Sequence, residues 1–215
     1  MFDEGKMEIG IAGANAFFED NLLDDFEIMM ELGDAFASVK QFEQAQHCYD
    51  RAADLEPDKE LPYVGFGMIA LQNHQLEEAV NAFKVAKRLD PESSKAYCGL
   101  ALAYQELEEY SDSFDCFLKC LEFDTNNLTA LLGLFQTSCQ MGSFSKVIYY
   151  LEVYLAMNPD DSSVMICLAT LYMKDSQLVK SKRMLNKILD NDPENTDSLN
   201  LLEEVEYLLE KEKTA

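Results

Sequence analysis

Residues 26–59 read FEIMMELGDAFASVKQFEQAQHCYDRAADLEPDK and carry the pattern that decides the fold. Four of the five prolines in the chain lie at multiples of 34 residues from one another: Pro57, Pro91, Pro159 and Pro193. The 34-residue spacing would place one more proline at position 125, which is Thr125 inside a polar, turn-like stretch. A fixed period of this length is typical of a chain built from stacked copies of one supersecondary unit.

Within one period, the apolar residues have the spacing of a helix. In residues 60–93, Tyr63, Phe66 and Ala70 recur at i, i+3 and i+7, and a second run of the same kind follows residues 73–75. Each period is therefore predicted to hold two helices, a short break between them, and an Asp-Pro or Asn-Pro stop. When the periods are counted from residues 26, 60 and 94, small residues recur at fixed positions, where paired helices are expected to approach closely. These are Gly33, Gly67 and Ala101 at position 8, and Ala45, Ala79 and Ser113 at position 20.

This pattern resembles the tetratricopeptide repeat family. In residues 26–59 the signature positions of the family are occupied by Leu32, Gly33, Phe36, Ala45, Tyr49, Ala52 and Pro57. The resemblance implies an all-α fold in which antiparallel helix pairs stack into a right-handed α-solenoid, the TPR superhelix, with a concave groove. It also implies the usual role of the family, which is to bind other proteins.

The register divides the chain into five expected repeats with a segment at each end. The repeats are residues 26–59, 60–93, 94–127, 128–161 and 162–195. The fourth is expected to have wider helix spacing, because Phe135 and Tyr154 replace small residues. Residues 196–215 are predicted to form a C-terminal capping helix and tail. Residues 1–25 stay ambiguous: a helix packed on the first repeat, a mobile segment, or a segment that folds into the groove.

The charge of the chain excludes several classes of partner. It has 40 acidic and 17 basic residues, a formal net charge of −23, which argues against nucleic-acid binding and against docking on an anionic membrane. No apolar run is long enough to span a bilayer, and acidic residues stand where a signal peptide has its basic region. Six cysteines without a CxxC pair indicate thiols in a reducing compartment. We therefore expect a cytoplasmic protein.

Catalytic and metal-binding patterns are not evident. The two histidines, His47 and His74, do not converge with other ligands, so both are interpreted as surface or turn residues. Cys116 and Cys120 share a predicted helix face, and packed thiols are the preferred interpretation over a zinc or redox site. No phosphate-binding loop, nucleophile elbow or HExxH helix is present. The sequence predicts a protein that is not an enzyme and needs no cofactor or metal.

The resemblance assigns the groove to the first helix of each repeat. The implied partner-binding residues are Met30, Asp34, Val64, Met68, Leu71, Cys98, Leu102, Gln105, Leu132, Gln136 and Ile166. Co-chaperones of the family grip acidic C-terminal tails with Lys and Asn at these positions, and that clamp is absent. Mostly apolar residues flanked by acids predict an apolar partner segment with Lys/Arg flanks.

One stretch of this acidic chain is basic. Residues 174–187 hold five basic residues and a single acid, a local charge of +4: Lys174, Lys180, Lys182, Arg183 and Lys187. Two interpretations remain open. One is an ordinary solvated helix face, and the other is head-to-tail self-association with the acidic N-terminal end, which would give a homo-oligomer.

Taken together, these features predict a non-catalytic interaction module that acts as a scaffold for complex assembly and binds a protein or peptide segment in its groove. A chaperone that shields an apolar client segment, similar to secretion chaperones, is one alternative. A targeting or regulatory subunit of an enzyme complex is the other.

Overall fold

The computed structural model describes residues 25–214. Within that range all regular secondary structure is α-helical and forms eleven helices. These are α1 Phe26–Ser38, α2 Phe42–Leu55, α3 Leu61–Gln72, α4 Leu76–Leu89, α5 Ser94–Glu106, α6 Tyr110–Phe123, α7 Leu128–Met141, α8 Ser145–Met157, α9 Ser162–Lys174, α10 Leu178–Asn191 and α11 Thr196–Thr214. The predicted all-α fold of adjacent helix pairs is thereby confirmed.

The described chain divides into two compact units. Unit 1 contains α1–α5 and ends at Glu109, and unit 2 begins at Tyr110 and contains α6–α11. In unit 1, α1 packs on α2, α3 on α4, and each pair contacts the helix that follows it. In unit 2, α6 packs on α7, α9 on α10, and α11 covers both α9 and α10.

Side-chain caps begin several helices at one fixed interval. Ser93, Asn127, Asp161 and Asn195 lie 34 residues apart, and each accepts a hydrogen bond from the backbone N–H three residues later. Asp25 caps α1 in the same way, with Oδ1 3.1 Å from the nitrogen of Ile28. These oxygens satisfy N–H groups that the first turn of a helix leaves without a partner.

The turn inside each helix pair also repeats every 34 residues. One residue per turn has a left-handed backbone, with φ between 57° and 69°: Lys40, His74, Glu108, Gly142 and Ser176. At the second turn, the N–H of His74 donates to the carbonyl of Leu71 at 3.0 Å, and that of Gln75 to the carbonyl of Ala70 at 2.9 Å. A left-handed residue with these bonds ends a helix and reverses the chain.

An aromatic ring held between two glycines sets the distance between neighbouring helices in unit 1. Tyr49 on α2 is 2% exposed and contacts Gly33 on α1 and Gly65 on α3. A Cβ atom added at Gly65 would lie 2.5 Å from a ring carbon of Tyr49. The two backbones therefore approach the faces of the ring as closely as atoms allow.

The same arrangement recurs one period later. Phe83 on α4 is fully buried and lies between Gly67 on α3 and Gly99 on α5. In unit 2, Phe117 on α6 is likewise fully buried and packs against Gly133 on α7. A bulky ring thus fills the space that each glycine leaves.

The hydroxyl of Tyr49 reaches from this core to the surface. It donates a hydrogen bond to Oδ1 of Asp34 at 2.7 Å. Burial raises the pKa of Tyr49 well above its usual range, and the hydrogen bond and charge of Asp34 raise it further. Burial also raises the pKa of the neighbouring Cys48 thiol to about 11.

The pair α7–α8 contacts less extensively than α1–α2 or α3–α4. Tyr154 on α8 occupies a position that is alanine in the first two repeats, and it is buried. Its hydroxyl donates to Oδ2 of Asp161 at 3.0 Å, and this hydrogen bond is the main reason why its pKa is raised. The wider helix spacing that the sequence predicts from Phe135 and Tyr154 is consistent with this smaller contact and stays a prediction.

Helix α11 covers the end of unit 2 through one apolar face. Val205 is fully buried in a cluster with Met165, Leu185 and Ile188, and leucines of α11 pack around it. None of the helices in residues 25–214 is both long and apolar enough to cross a membrane. The division into five 34-residue repeats plus a cap at 196–215 stays a prediction, and the predictions for residues 1–24 lie outside the described residues.

We expect Gly65→Ala to destabilise the protein by about 1–3 kcal/mol, because the added methyl group overlaps a ring that has no room to move. Urea unfolding followed by circular dichroism measures this effect. Gln72→Ala, at an exposed position of the same helix, is the control and should stay within about 0.5 kcal/mol of the wild type. Equal midpoints for Gly65→Ala and the wild type would contradict the packing argument.

Glu108→Gly is expected to stabilise the protein by up to about 1 kcal/mol. Glycine adopts the left-handed conformation without the strain of about 1–2 kcal/mol that other residues have there. Part of this gain is lost, because glycine has more conformational entropy in the unfolded chain. Glu108→Ala removes the same charge but keeps the strain, so thermal unfolding should show a gain only for glycine. A gain of the same size in both variants would assign the effect to charge.

The raised pKa values predict that the free energy of unfolding falls above about pH 9–10. The unfolded chain then releases protons that Cys48 and Tyr49 retain when folded, at a cost of about 1.4 kcal/mol per pH unit and group. Tyr49→Phe should make the fall above pH 10 shallower. Urea midpoints between pH 8 and about pH 11 test this, with the exposed Tyr207→Phe as control. Parallel profiles for all three proteins would show that Tyr49 does not retain its proton.

Candidate partner-binding surface

The first helices of the pairs in unit 1 lie side by side. α3 contacts both α1 and α5, whereas the second helices α2 and α4 share no comparable contact in the described chain. First helices that touch while second helices spread apart form the inner side of a curved layer. The residues that the sequence assigned to the groove in unit 1 all belong to these first helices, and we call them the unit-1 surface: Met30, Asp34, Val64, Met68, Leu71, Cys98, Leu102 and Gln105.

Apolar and sulfur-containing side chains run across this surface. Val64 and Met68 lie four residues apart on α3, and Cys98 and Leu102 do so on α5, so each pair shares a helix face. Met68 is 37% exposed, and the other three are half-buried. Met30 on α1 is half-buried as well. α3 contacts both α1 and α5, so these residues lie on neighbouring helices, and Met30 also packs against the core cluster that contains Phe36 and Tyr49.

Two residues assigned to the groove have a different environment. Leu71 is only 9% exposed, so it supports the surface from beneath and offers a partner little area. Asp34 is exposed, and its carboxylate already accepts the hydrogen bond from Tyr49. Gln105 is half-buried on α5.

Exposed carboxylates border the apolar surface at both sides of unit 1. On α1, Glu27, Glu31 and Asp34 recur at i, i+4 and i+7 and are all exposed. At the end of α5, Glu106 is exposed, and Oε2 lies 3.5 Å from Nδ1 of His74. An apolar centre with acidic margins is therefore present in unit 1.

The remaining groove residues belong to unit 2 and form a separate set, the unit-2 surface. Leu132 and Ile166 are half-buried on α7 and α9, which contact each other, and Gln136 on α7 is exposed. Cys167 follows Ile166, and burial raises the pKa of its thiol to about 11, with Cys139 adding to the shift. A raised pKa makes a thiol less reactive.

Four of the five basic residues in the segment 174–187 lie around a cleft of about 770 Å³ on α10. Lys180, Lys182, Arg183 and Lys187 all line it, and Lys174, at the end of α9, does not. Sequence reasoning missed the apolar residues of the cleft, which are Tyr172, Val179 and Met184. Val179 is the one that periodicity could have found, because it interrupts the polar face of α10 and is 64% exposed.

The structure gives the histidines and cysteines ordinary surroundings. His74 has a left-handed backbone in a turn, and Cys48 and Cys120 are fully buried. All six cysteines are free thiols. Among the described residues, no group of three His, Cys, Asp or Glu side chains is arranged to hold a metal ion.

Comparisons with known proteins agree with the geometry. The tetratricopeptide repeat model matches residues 26–59 and 94–127. No curated protein sequence matches the chain significantly. Among solved structures, YrrB, described as a TPR protein with an unusual peptide-binding site, is 19% identical with a TM-score of 0.64, and the match covers 87% of this chain and 95% of YrrB.

Two further solved structures are similar. PilF of Pseudomonas aeruginosa is 18% identical with a TM-score of 0.68, covering 88% of this chain and 86% of PilF. MamA of Desulfovibrio magneticus RS-1, from residue 41 to its end, is 23% identical with a TM-score of 0.61, covering 73% of this chain and 89% of that one. At these identities the likeness shows the fold alone.

Proteins of this fold are generally non-catalytic interaction modules, so the fold supports a role in protein–protein interaction. The repeat model, the recurrent caps and turns, and the structural neighbours all agree on one fold. Residues 26–59 and 94–127 are therefore tetratricopeptide repeats, and the chain is a protein of the tetratricopeptide repeat fold.

Proposed function

We propose that this protein is a non-catalytic scaffold for complex assembly, and that its unit-1 surface binds an apolar segment of a partner protein. The observation that carries the proposal is the exposure of Met68 in the middle of that surface, between half-buried Val64 and Leu102. A contiguous exposed apolar patch bordered by polar residues is the usual mark of an interaction site on a folded protein. Methionine and cysteine also adapt their shape to a partner.

The acidic margins favour a partner segment with Lys or Arg on either side of its apolar part. Glu27 and Glu31 are exposed on α1 and have no basic residue of the described chain within ion-pair distance. Their attraction to a basic flank speeds the encounter and fixes orientation, and salt weakens it. Binding is therefore expected to weaken as salt concentration rises.

The unit-2 surface is proposed as a second contact of the same kind. Leu132 and Ile166 are half-buried side by side on touching helices, and Gln136 offers a polar group next to them. YrrB, a protein of the same fold, has a peptide-binding site, which supports peptide binding as a use of this fold.

The chaperone and the enzyme-subunit alternatives use the same surface and differ in the partner. A chaperone holds a client segment that is otherwise buried in the mature partner, and a regulatory subunit holds a catalytic chain. A cytoplasmic location is part of the proposal, and the six free thiols support it because disulfides are rare in that compartment.

The decisive variant is Met68→Glu. It places a charge in the centre of the apolar surface, so the affinity for the partner is expected to fall at least about tenfold, or 1.4 kcal/mol. The tagged full-length chain is used for affinity purification from its native cells, and the captured proteins are quantified by mass spectrometry. Binding of the isolated partner is then measured by calorimetry at low and high salt.

Met157→Glu is the matched control, because Met157 is 52% exposed on α8, outside both groove surfaces. It makes the same chemical change and should capture the same proteins as the wild type. Circular dichroism confirms that both variants are helical. If Met68→Glu captures the wild-type partners undiminished, the unit-1 surface is not the binding site.

A further inference from the structure

The basic cleft on α10 combines positive charge with apolar side chains. Lys180, Arg183 and Lys187 line it on one face of the helix, and Val179 and Met184 lie among them. Its volume of about 770 Å³ is within the range of clefts that hold ligands or short segments of chain. Asp190 is the single acidic residue in its lining.

The cations of the cleft are mostly not neutralised by the protein. Of the four cations that line the cleft, only Lys182 pairs with a carboxylate of the described residues. Its Nζ lies 2.6 Å from Oε1 of Glu206 on α11. Lys180 holds its ammonium 5.1 Å from the ring centre of Tyr172, and Lys187 donates to the backbone carbonyl of Pro159 at 2.8 Å. These contacts orient the side chains without cancelling their charge.

Two neighbours fix the wall of the cleft. The hydroxyl of Tyr172 donates to Glu152 on α8, so the ring beneath Lys180 is held in place. Arg183 is exposed, and its planar guanidinium can take a carboxylate through two parallel hydrogen bonds. The cleft is therefore partly preorganised for carboxylates at fixed distances from an apolar contact.

We propose that this cleft is a second docking surface, which binds an acidic segment of a different protein with an apolar residue packed on Val179 and Met184. Charge complementarity carries the inference: three cations without carboxylate partners share a cleft with apolar side chains in a chain whose net charge is −23. A solvated helix face would have no need of the adjoining cleft or of the exposed valine.

Net charge also decides between a different protein and a second copy. Two copies each carry −23, and like net charge of this size keeps proteins apart in solution. The acidic segment of a partner with a smaller net charge meets the cations of the cleft against less of that repulsion. Self-association through the same residues, which the sequence also allowed, is therefore the outcome that the experiment must exclude.

The proposed scaffold then has two binding surfaces that prefer partner segments of opposite charge. The unit-1 surface has acidic margins, and the α10 cleft is basic, so two different segments can be bound by one chain without competing. The cleft is argued from residues of unit 2 alone, so it does not rest on the function proposed for unit 1.

The test uses the full-length protein and a fluorescent acidic peptide of about a dozen residues that alternates Glu-Asp pairs with Leu and Phe. Fluorescence anisotropy is expected to show binding that weakens with salt and is lost when Gln and Asn replace the acids. Arg183→Glu should weaken binding at least about tenfold. Arg88→Glu, the same change at an exposed arginine of α4, is the matched control and should bind as the wild type does.

Val179→Asp, at the exposed apolar residue, is a second variant and should also weaken binding without changing helicity. Light scattering on the same samples should give the monomer mass at low and high salt. No binding by the wild type, or equal losses in Arg183→Glu and Arg88→Glu, would overturn the proposal. A mass that rises with concentration in the wild type but not in Arg183→Glu would overturn it too, in favour of a second copy.

Discussion

The contact of an aromatic ring with glycine on both faces is the constraint on which unit 1 depends. Tyr49 lies between Gly33 and Gly65, and a side chain of any size at either glycine would push two helices apart. Because interiors are packed without spare volume, such a change cannot be absorbed locally. The ring therefore fixes how far each first helix lies from the next.

The position of the candidate surface follows from that spacing. Glycines on the first helices let α1, α3 and α5 touch, and only touching helices can join separate side chains into one apolar surface. The hydroxyl of Tyr49 links the two features directly, since it reaches from the core to Asp34 at the margin of the surface. The packing of unit 1 and its proposed binding surface thus share one residue.

Charge divides the surfaces of the protein into two kinds. Carboxylates border the apolar surface of unit 1, and lysines and an arginine surround the cleft on α10. A chain with uniform negative charge would stay soluble but would attract only basic partners. The reversal on one helix gives the proposed scaffold a means of choosing between partner segments, since opposite charges attract and like charges are excluded.

The sequence alone determined the helix pairs, their period and the positions of small residues, because helical spacing and repeated prolines are local signals. It also located all four basic residues that line the cleft. Only the tertiary structure decided that Leu71 is buried, that Asp34 accepts a hydrogen bond from Tyr49, and that Val179, Met184 and Tyr172 line the same cleft as those cations. Exposure and hydrogen bonding depend on what neighbouring helices cover, and a single helix pattern does not contain that information.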